Sequence, residues 1–369
     1  MQCTVERAIF ASAVNEAASA VNSRSPKEAM QSVLLQSQQS VLTVVGSDFE
    51  TAISSRVAAD VRRAGDVLVR AELLVAILRA TTATSIQLAT DRNTLHLDAD
   101  GAHYRLPTGD PADYPVAPQP SDGALRRIEA HLLVAALRRG TLACERETAR
   151  YALEGVLIEA DETHLYCVAT DGRRLAARTL GVLEQVGPWP ESCLLPRAAA
   201  DMLAKLLGRR QGTAVLKANA NWVWCETDDL HVSLRRLDGR FPQWRDVIPS
   251  GGNPTTATVS AGVLLVAARQ AATVTAGDKI GVTIEPTADG SCCFHAGTQL
   301  GESQVVIEGM RWESPQPSAV TINAQYLIEH LRELPSDTAI TIEVRDADKL
   351  IVLRDESGVY LVMPMHNRS

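Results

Sequence analysis

The stretch HLYCVATDGRRLAARTL (164–180) has apolar and β-branched residues on both sides of a Thr-Asp-Gly turn. This pattern predicts two antiparallel strands joined by a tight turn. The same design recurs in VLTVVGSDFETAISSRV (41–57) and, more weakly, in CCFHAGTQLGESQVVIE (292–308). A strand pair therefore occurs three times along the chain, which indicates an internal repeat.

Short amphipathic helices accompany each strand pair. Helical spacing of apolar residues predicts an opening helix in each repeat, through Phe10, Ala13, Val14, Ala17 and Val21, then Ile128, Leu132, Ala135 and Ala136, then Leu264, Ala267, Ala268 and Ala271. A second helix is predicted over LLVAIL (73–78), MLAKLL (202–207) and LIEHLREL (327–334). Each second helix precedes a predicted hairpin, at 85–100, 214–229 and 339–355.

The common order divides the chain into three units, 1–120, 124–250 and 255–369. Stretches rich in Pro and Gly separate them, APQPSDG (117–123) and PSGGNP (249–254). We predict an α+β fold in which the two helices of each unit pack on one face of an antiparallel sheet. Loose similarity between unrelated α+β segments is the alternative explanation, and the shared order of the elements argues against it.

Composition indicates a globular protein of more than one domain. The chain has 369 residues, of which 46% are hydrophobic and 22% charged. It has no apolar run of roughly 18 residues that would span a membrane. The opening MQCTVERAIF lacks the pattern of a secretory signal. We therefore expect a cytoplasmic protein without a membrane partner.

The cysteines and histidines do not form a metal-binding pattern. The seven cysteines show no C-x-x-C spacing and the eight histidines are scattered, so we expect buried, reduced thiols and no metal or cofactor. The nucleophile, phosphate-loop, dinucleotide and zinc-protease motifs G-x-S-x-G, G-x-x-x-x-G-K-[ST], G-x-G-x-x-G and H-E-x-x-H are missing from the sequence. The sequence therefore argues against an enzyme.

Five stretches, in order along the whole chain, resemble the bacterial DNA polymerase III beta subunit, the beta sliding clamp family: TVER (4–7), GSDFE (46–50), YALEGVLIEADETHLYCVATDGRRLAART (151–179), LDGRFPQWRDVIP (237–249) and YLVMPM (360–365). The resemblance implies three clamp domains per chain and a head-to-tail dimeric ring, with helices lining the hole and sheets outside. It also implies a function. The ring encircles double-stranded DNA and tethers the replicative DNA polymerase and other proteins that carry clamp-binding peptides. A clamp paralogue specialised for repair or translesion polymerases is the alternative.

The resemblance also implies a pocket for partner peptides. The matching positions are Leu153, Thr170, Gly172, Arg174, Leu175, Pro242, Val247, Val362, Met363, Pro364 and Met365. Met is flexible and polarizable, which suits a pocket that accepts different peptides. Gly172 is expected to permit a tight turn that exposes Arg174 and Leu175. Arg173 and Asp246 depart from the family pattern, which has His and Arg at these positions.

The net charge of −8 argues against tight DNA binding, but an encircling ring needs few phosphate contacts. The predicted helices of the middle unit carry a cationic set that could face the hole: Arg126, Arg127, Arg138, Arg139, Arg197, Lys205 and Arg209. The resemblance adds Arg24 and Tyr151 as positions that contact DNA. No nucleotide-binding loop occurs in the sequence, so an external, ATP-driven clamp loader is expected to open the ring.

The seam of the predicted homodimer joins unit one of one chain to unit three of the other. We place it at Tyr104 and Leu106 on one side, and at Thr273 and Val274 on the other. The reason is that an open crescent would leave sheet edges exposed at both ends.

Overall fold

The computed structural model describes residues 1–115, 118–120, 124–145, 153–275, 281–299, 301–313, 317–346 and 350–365. The α-helices within these ranges are Arg7–Ala18 (α1), Ala71–Ala80 (α2), Ala130–Ala143 (α3), Arg197–Leu207 (α4), Trp244–Val247 (α5), Ala261–Ala271 (α6) and Ala324–Arg332 (α7). Short 3₁₀ turns lie at Glu28–Gln31, Pro111–Asp113 and Ala272–Val274.

The strands of the N-terminal third are Gln2–Glu6 (β1), Ser32–Gln38 (β2), Val41–Ser47 (β3), Thr51–Arg63 (β4), Gly65–Arg70 (β5), Ser85–Asp91 (β6), Thr94–Ala99 (β7) and Ala102–Gly109 (β8). Those of the middle third are Ala124–Glu129 (β9), Gly155–Ala160 (β10), His164–Thr170 (β11), Arg174–Gly181 (β12), Glu184–Val186 (β13), Cys193–Pro196 (β14), Thr213–Ala218 (β15), Trp222–Glu226 (β16) and Leu230–Arg235 (β17). The last third contributes Thr255–Ser260 (β18), Gly281–Pro286 (β19), Ser291–Thr298 (β20), Gly301–Arg311 (β21), Val320–Asn323 (β22), Ala339–Val344 (β23), Ile351–Asp355 (β24) and Gly358–Val362 (β25).

The described chain forms two compact units. Unit A comprises Met1–Ala130, Leu183–Pro190 and Lys205–Arg236, and unit B comprises His131–Val182, Glu191–Ala204 and Leu237–Ser369. The boundary falls inside the middle third because some strands of that third belong to the sheet of unit A and the others to a sheet of unit B. Within unit A, β17 pairs with β4, and within unit B, β12 pairs with β25.

Unit A is built on a 13-stranded sheet with the order β1-β6-β7-β8-β5-β2-β3-β4-β17-β16-β15-β9-β13, and β1 also pairs with β4. Its core lies where α1 and α2 cover the first strands, with Phe10 and Leu74 fully buried. Complete burial of such side chains contributes about 1.5–3 kcal/mol each. A Cβ atom at Gly46 would lie 1.8 Å from the carbonyl oxygen of Ala17, so the close packing of α1 on β3 requires a glycine there.

Unit B contains an eight-stranded sheet, β14-β10-β11-β12-β25-β24-β23-β18, and a four-stranded sheet, β21-β20-β19-β22. Helix α7 begins at an Asn323 cap whose side chain accepts a hydrogen bond from the Gln325 N–H. Its buried face is formed by Leu327, Ile328 and Leu331, the helical spacing that the sequence predicts.

The predicted order of elements is confirmed in all three repeats. The strand pairs are β3–β4, β11–β12 and β20–β21, and the opening helices are α1, α3 and α6. Two residues assigned to the opening helices lie outside them. Val21 follows the end of α1 at Ala18. Ile128 lies in β9 and α3 begins two residues later, because ALRRIE alternates buried and half-buried residues as a strand does. The division into units 1–120, 124–250 and 255–369 stays a prediction.

All seven cysteines are buried thiols, as the sequence predicts. Among the described residues, none of the helices is long and apolar enough to cross a membrane.

Candidate functional site

The turn between β11 and β12 is held by its own side chains. Thr170 Oγ1 donates to the carbonyl of Arg174 at 2.6 Å and accepts from the Gly172 N–H at 3.1 Å. Asp171 Oδ1 accepts from the backbone N–H groups of Arg173 and Arg174. Gly172 has a φ of 82°, a conformation that favours glycine. The turn therefore has one well-defined shape.

Arg174 points into the protein. Its Nε donates to Asp171 Oδ2 at 3.0 Å, its Nη1 donates to Glu329 Oε2 at 2.6 Å, and its guanidinium lies 4.2 Å from the centre of the Tyr326 ring. Arg174 and Leu175 are both buried, so the expectation that the turn exposes them is wrong. Two carboxylates and an aromatic face therefore compensate the positive charge of the buried Arg174.

The C-terminal segment lies directly beside this turn. Arg174 pairs with Val362 in the β12–β25 ladder. The Met363 N–H donates to the carbonyl of Arg173 at 2.8 Å, and the Met365 N–H donates to the carbonyl of Thr321 at 2.7 Å. Met363 nevertheless keeps 47% of its surface exposed. The backbone is thus fixed while the Met363 side chain stays accessible.

Leu153 and Leu175 belong to one apolar cluster with Phe241 and Trp244. Phe241 and Trp244 are buried and fix the segment that carries Pro242 and Val247. Pro242 is exposed, and Val247 is 45% exposed. Sequence reasoning missed Phe241 and Trp244, although two aromatic residues beside exposed candidates were a usable signal.

Arg245 and Asp246 differ in their side-chain contacts. Arg245 Nη1 donates to Glu159 Oε2 at 2.6 Å, and its guanidinium lies 4.2 Å from the Trp244 ring and 4.9 Å from the Tyr166 ring. Asp246 is exposed in the same short helix, next to Val247. The carboxylate of Asp246 therefore faces solvent beside an accessible apolar side chain.

The accessible peptide candidates are Pro242, Val247 and Met363, with Pro364 and Met365 half-buried. The others form the support: Leu153, Thr170, Arg174, Leu175 and Val362 are buried, and Gly172 sits in the turn.

A cavity of about 280 Å³ lies beside the turn and is lined by Arg173, Arg174, Gln325, Tyr326 and Glu329, among others. Tyr326 and Glu329 were not predicted from the sequence, because they lie on α7, more than 150 residues away from the turn. The cavity gives the turn region a concave surface that is rich in charged groups.

The cationic candidates divide into exposed and buried residues. Arg24, Arg138, Lys205 and Arg209 are exposed, and Arg197 is half-buried at the start of α4. Arg209 Nη1 lies 3.4 Å from Ser12 Oγ. The side chains of the four exposed residues are accessible to solvent. Tyr151 lies outside the described residues.

Arg126, Arg127 and Arg139 do not behave as predicted. Arg126 and Arg127 lie in β9 and not in a helix. Arg126 is 2% exposed and its Nη1 donates to backbone carbonyls, including that of Gly187 at 3.1 Å. Arg127 Nε donates to Glu184 at 2.7 Å, and Arg139 is buried against Asp355. Arg126 and Arg139 are therefore part of the fold and not of a DNA-facing surface.

The residues predicted at the dimer seam also differ in their exposure. Tyr104 and Val274 are half-buried, and Thr273 is exposed. Leu106 is only 3% exposed and packs in the core of its own unit, because its strand alternates and Leu106 points towards the helices. Its side chain is therefore unavailable to a partner, although its backbone remains on a strand that could pair.

Among the described residues, no group of three or more His, Cys, Asp and Glu side chains is arranged to hold a metal ion. Burial raises the pKa of the Cys144 thiol to about 12 and that of the Cys3 thiol to about 11, which disfavours the reactive thiolate form of these two residues.

Comparison with known proteins identifies the family of the chain. Residues 1–118 match the family model of the DNA polymerase III beta subunit N-terminal domain, and residues 127–243 match its central domain. The beta sliding clamp of Vibrio cholerae is 23% identical over 372 residues, covering 99% of this chain and 100% of the relative. That of Caulobacter vibrioides is 26% identical over 383 residues, with the same coverage.

Solved structures share the fold over the full length. A sliding clamp from Bacillus subtilis has a TM-score of 0.89 at 19% identity, covering 100% of this chain and 99% of the other. One from Pseudomonas aeruginosa, bound to griselimycin, has a TM-score of 0.90 at 22% identity and covers 99% of both chains. The predicted α+β clamp fold is thus confirmed.

The chain belongs to the family of the bacterial DNA polymerase III beta subunit. This family consists of sliding clamps, which are non-catalytic processivity factors of DNA replication, so the chain is not an enzyme.

Proposed function

We propose that two copies of this chain join head to tail into a ring that encircles duplex DNA. The ring slides along the duplex and tethers the replicative polymerase and other DNA-processing proteins. The division into domains at 1–120, 124–250 and 255–369 belongs to this proposal, and the family matches at 1–118 and 127–243 support its first two boundaries. A cytoplasmic location follows from the same function.

The observation that carries the ring is a pair of strand edges. β8 pairs with β7 along its length but meets β5 only through Thr108 and Gly109. In the four-stranded sheet, β21 pairs with β20 and with no other strand of the described chain. Open edges invite pairing with another chain. Tyr104 lies on the first edge. The second edge, β21, is joined to the end of α6 by a hydrogen bond from Ser303 Oγ to the Ala271 carbonyl. Thr273 and Val274 follow directly after Ala271.

The experiment for the ring is the molar mass in solution. Light scattering at micromolar concentration should give the mass of two chains, twice 39.7 kDa. A mass of one chain across this range would contradict the head-to-tail dimer.

Contact with DNA is proposed to be loose. The exposed cations Arg24, Arg138, Lys205 and Arg209 supply positive charge, while the whole chain carries −8. Phosphate contacts weaken with salt, and few of them leave a ring free to slide. An ATP-driven clamp loader is proposed to open the ring, because the sequence has no nucleotide-binding loop of its own.

Partner proteins are proposed to bind through short peptides at the surface formed by Pro242, Val247 and Met363. The support is the contrast between fixed backbone and accessible apolar side chains at these positions. A few such anchors usually carry most of an interface's binding energy.

The full-length relatives favour the main replicative clamp over a paralogue specialised for repair polymerases. Affinity capture from cell extract distinguishes the two. Recovery of the replicative polymerase supports the first, and recovery of a repair polymerase alone supports the second.

A further inference from the structure

Unit A contains a groove of about 650 Å³ on the sheet face that points away from α1 and α2. Strand alternation defines that face. Leu35 and Val44 pack in the core beneath α1, whereas Leu34 and Val45 point to the opposite side and line the groove. The groove has no part in the peptide surface around Met363, which lies in unit B.

The floor of the groove is a row of side chains that crosses five strands. Backbone register places Leu34 opposite Val45, Val45 opposite Ser54, Ser54 opposite His231, and His231 opposite Glu226. The row is apolar at one end and polar at the other. Ser54, the smallest side chain in it, forms a notch in the middle.

The wall of the groove is formed by the described residues of the connector after β8 that line it, Pro111, Tyr114, Pro115 and Gln119. The Tyr114 hydroxyl is buried and lies 3.2 Å from the carbonyl oxygen of Ser32 and 3.3 Å from that of Val45. Trp224 Nε1 donates to the carbonyl of Pro118 at 2.8 Å. Tyr114 and Pro118 are already held by these hydrogen bonds, so they add little conformational entropy to the cost of binding.

Acidic groups outnumber basic ones around the groove. Asp66 lines it and is exposed, and Asp110 and Asp113 stand at the start of the connector. Among the lining residues, Arg56 carries a positive charge, and its Nη2 donates a hydrogen bond to the carbonyl oxygen of Asp228.

At the polar end of the floor, Glu226 is paired with Lys217 at 2.9 Å. Burial lowers the pKa of His231, which keeps its imidazole neutral near pH 7. The polar end is therefore close to neutral, and the net negative charge around the groove comes from Asp66, Asp110 and Asp113, which outnumber Arg56 and disfavour phosphate ligands such as DNA.

We propose that this groove binds an extended peptide segment of a partner protein, in which an aliphatic side chain is flanked by basic residues. The aliphatic side chain enters the notch over Ser54 and packs against Leu34 and Val45. The basic residues lie towards Asp66 and the acidic connector. Five strands spaced at about 4.8 Å give a floor of roughly 19 Å, which matches about five or six residues of extended chain.

The test uses three labelled pentapeptides and the full-length protein without DNA, so its outcome does not depend on ring closure or on the Met363 surface. The probes are Lys-Val-Leu-Val-Lys, its acidic counterpart Glu-Val-Leu-Val-Glu, and Lys-Val-Gly-Val-Lys, which lacks the anchor. Fluorescence anisotropy at low salt should show saturable binding of the first probe alone, at least tenfold tighter than the other two.

Two variants locate the binding. Ser54→Trp fills the notch and should weaken binding of the basic probe at least tenfold. Ser85→Trp makes the same change at an exposed strand position of unit A outside the groove and should leave binding unchanged. Asp66→Lys, at an exposed site, should weaken binding severalfold even if Ser54→Trp does not fold. Absence of binding up to millimolar protein, equal binding of the acidic probe, or equal binding by Ser54→Trp and Ser85→Trp would each overturn the proposal.

Discussion

Arg139 and Asp355 form a buried ion pair although 216 residues separate them in the sequence: Arg139 Nη1 donates to Asp355 Oδ2 at 2.9 Å. Burial lowers the pKa of Arg139 to about 10, so the guanidinium is still charged at neutral pH. Burial also opposes the charge on Asp355, but Arg139 and the hydrogen bonds from Ser357 outweigh it and hold the pKa of Asp355 below its usual value. The pair ties α3 to the end of β24 within unit B.

Removing one member of this pair should destabilise unit B strongly. Arg139→Ala leaves the Asp355 carboxylate buried without its cation, a change that costs on the order of 3–5 kcal/mol. Urea denaturation followed by tryptophan fluorescence measures the loss. Arg138→Ala, at the exposed neighbouring position of α3, is the matched control and should stay within about 0.5 kcal/mol of wild type. Equal unfolding midpoints for the two variants would show that the ion pair contributes nothing.

Lowering the pH should reduce the stability of the fold, because His330 is buried in its neutral form. Burial, and then the charge of Arg139, lower the pKa of His330 to about 3, whereas the unfolded imidazole titrates near 6.5. Between these values the unfolded state binds a proton that the folded state does not, so stability present above pH 6.5 is lost as the pH falls.

His330→Phe tests this and keeps the stacking on Tyr360, whose ring centre lies 3.9 Å away. From pH 6.5 to pH 5 the wild type should lose roughly 2 kcal/mol more than the variant. Denaturant titrations at the two pH values give the difference. Parallel pH dependence of the two proteins would mean that the imidazole is not held neutral by the fold.

The order of the helices and strands could be predicted from the sequence, but the burial or exposure of individual arginines could not. Hairpins such as 164–180 depend on local alternation and turn residues, which a sequence displays directly. Arg138 and Arg139 are neighbours in one helix, yet one is exposed and the other buried, because Asp355 approaches from a distant strand. Likewise, Arg174 is buried by Glu329 of α7. Long-range partners of this kind leave no signal in the local sequence.

Met363→Ala should weaken the binding of a clamp-binding peptide by ten- to a hundredfold. The change removes exposed apolar surface without adding charge, and anchors of this type contribute on the order of 1–3 kcal/mol. Fluorescence anisotropy with a labelled clamp-binding peptide measures the affinity. Leu183→Ala, which truncates an apolar residue of unit A that is even more exposed than Met363, should bind as wild type does.

Deleting the chain from Met363 onward should abolish peptide binding and leave the dimer intact. Light scattering on the truncated protein checks the second half. If Met363→Ala binds as tightly as wild type, the peptide surface is misplaced. If truncation breaks the dimer, the C-terminal segment supports assembly and not partner binding.

Tyr104→Ala should weaken the dimer. Tyr104 is half-buried in the single chain and lies on the open edge of β8, so a partner strand would complete its burial. A loss of about tenfold in dimer affinity corresponds to about 1.4 kcal/mol, within the range for a lost interfacial aromatic. Sedimentation velocity across a dilution series measures it, with His96→Ala on β7 as a control away from that edge. An unchanged dimer affinity would remove Tyr104 from the seam.

Encirclement is tested most directly by the topology of the DNA. The protein is loaded by a clamp loader and ATP onto a closed circular duplex, and its retention is measured by gel filtration in high salt, before and after a restriction enzyme cuts the circle. Contacts with phosphate are screened by salt, whereas a closed ring is not. Retention on the intact circle and release after a single cut is the predicted result, and equal retention on cut and intact DNA would contradict a ring around the duplex.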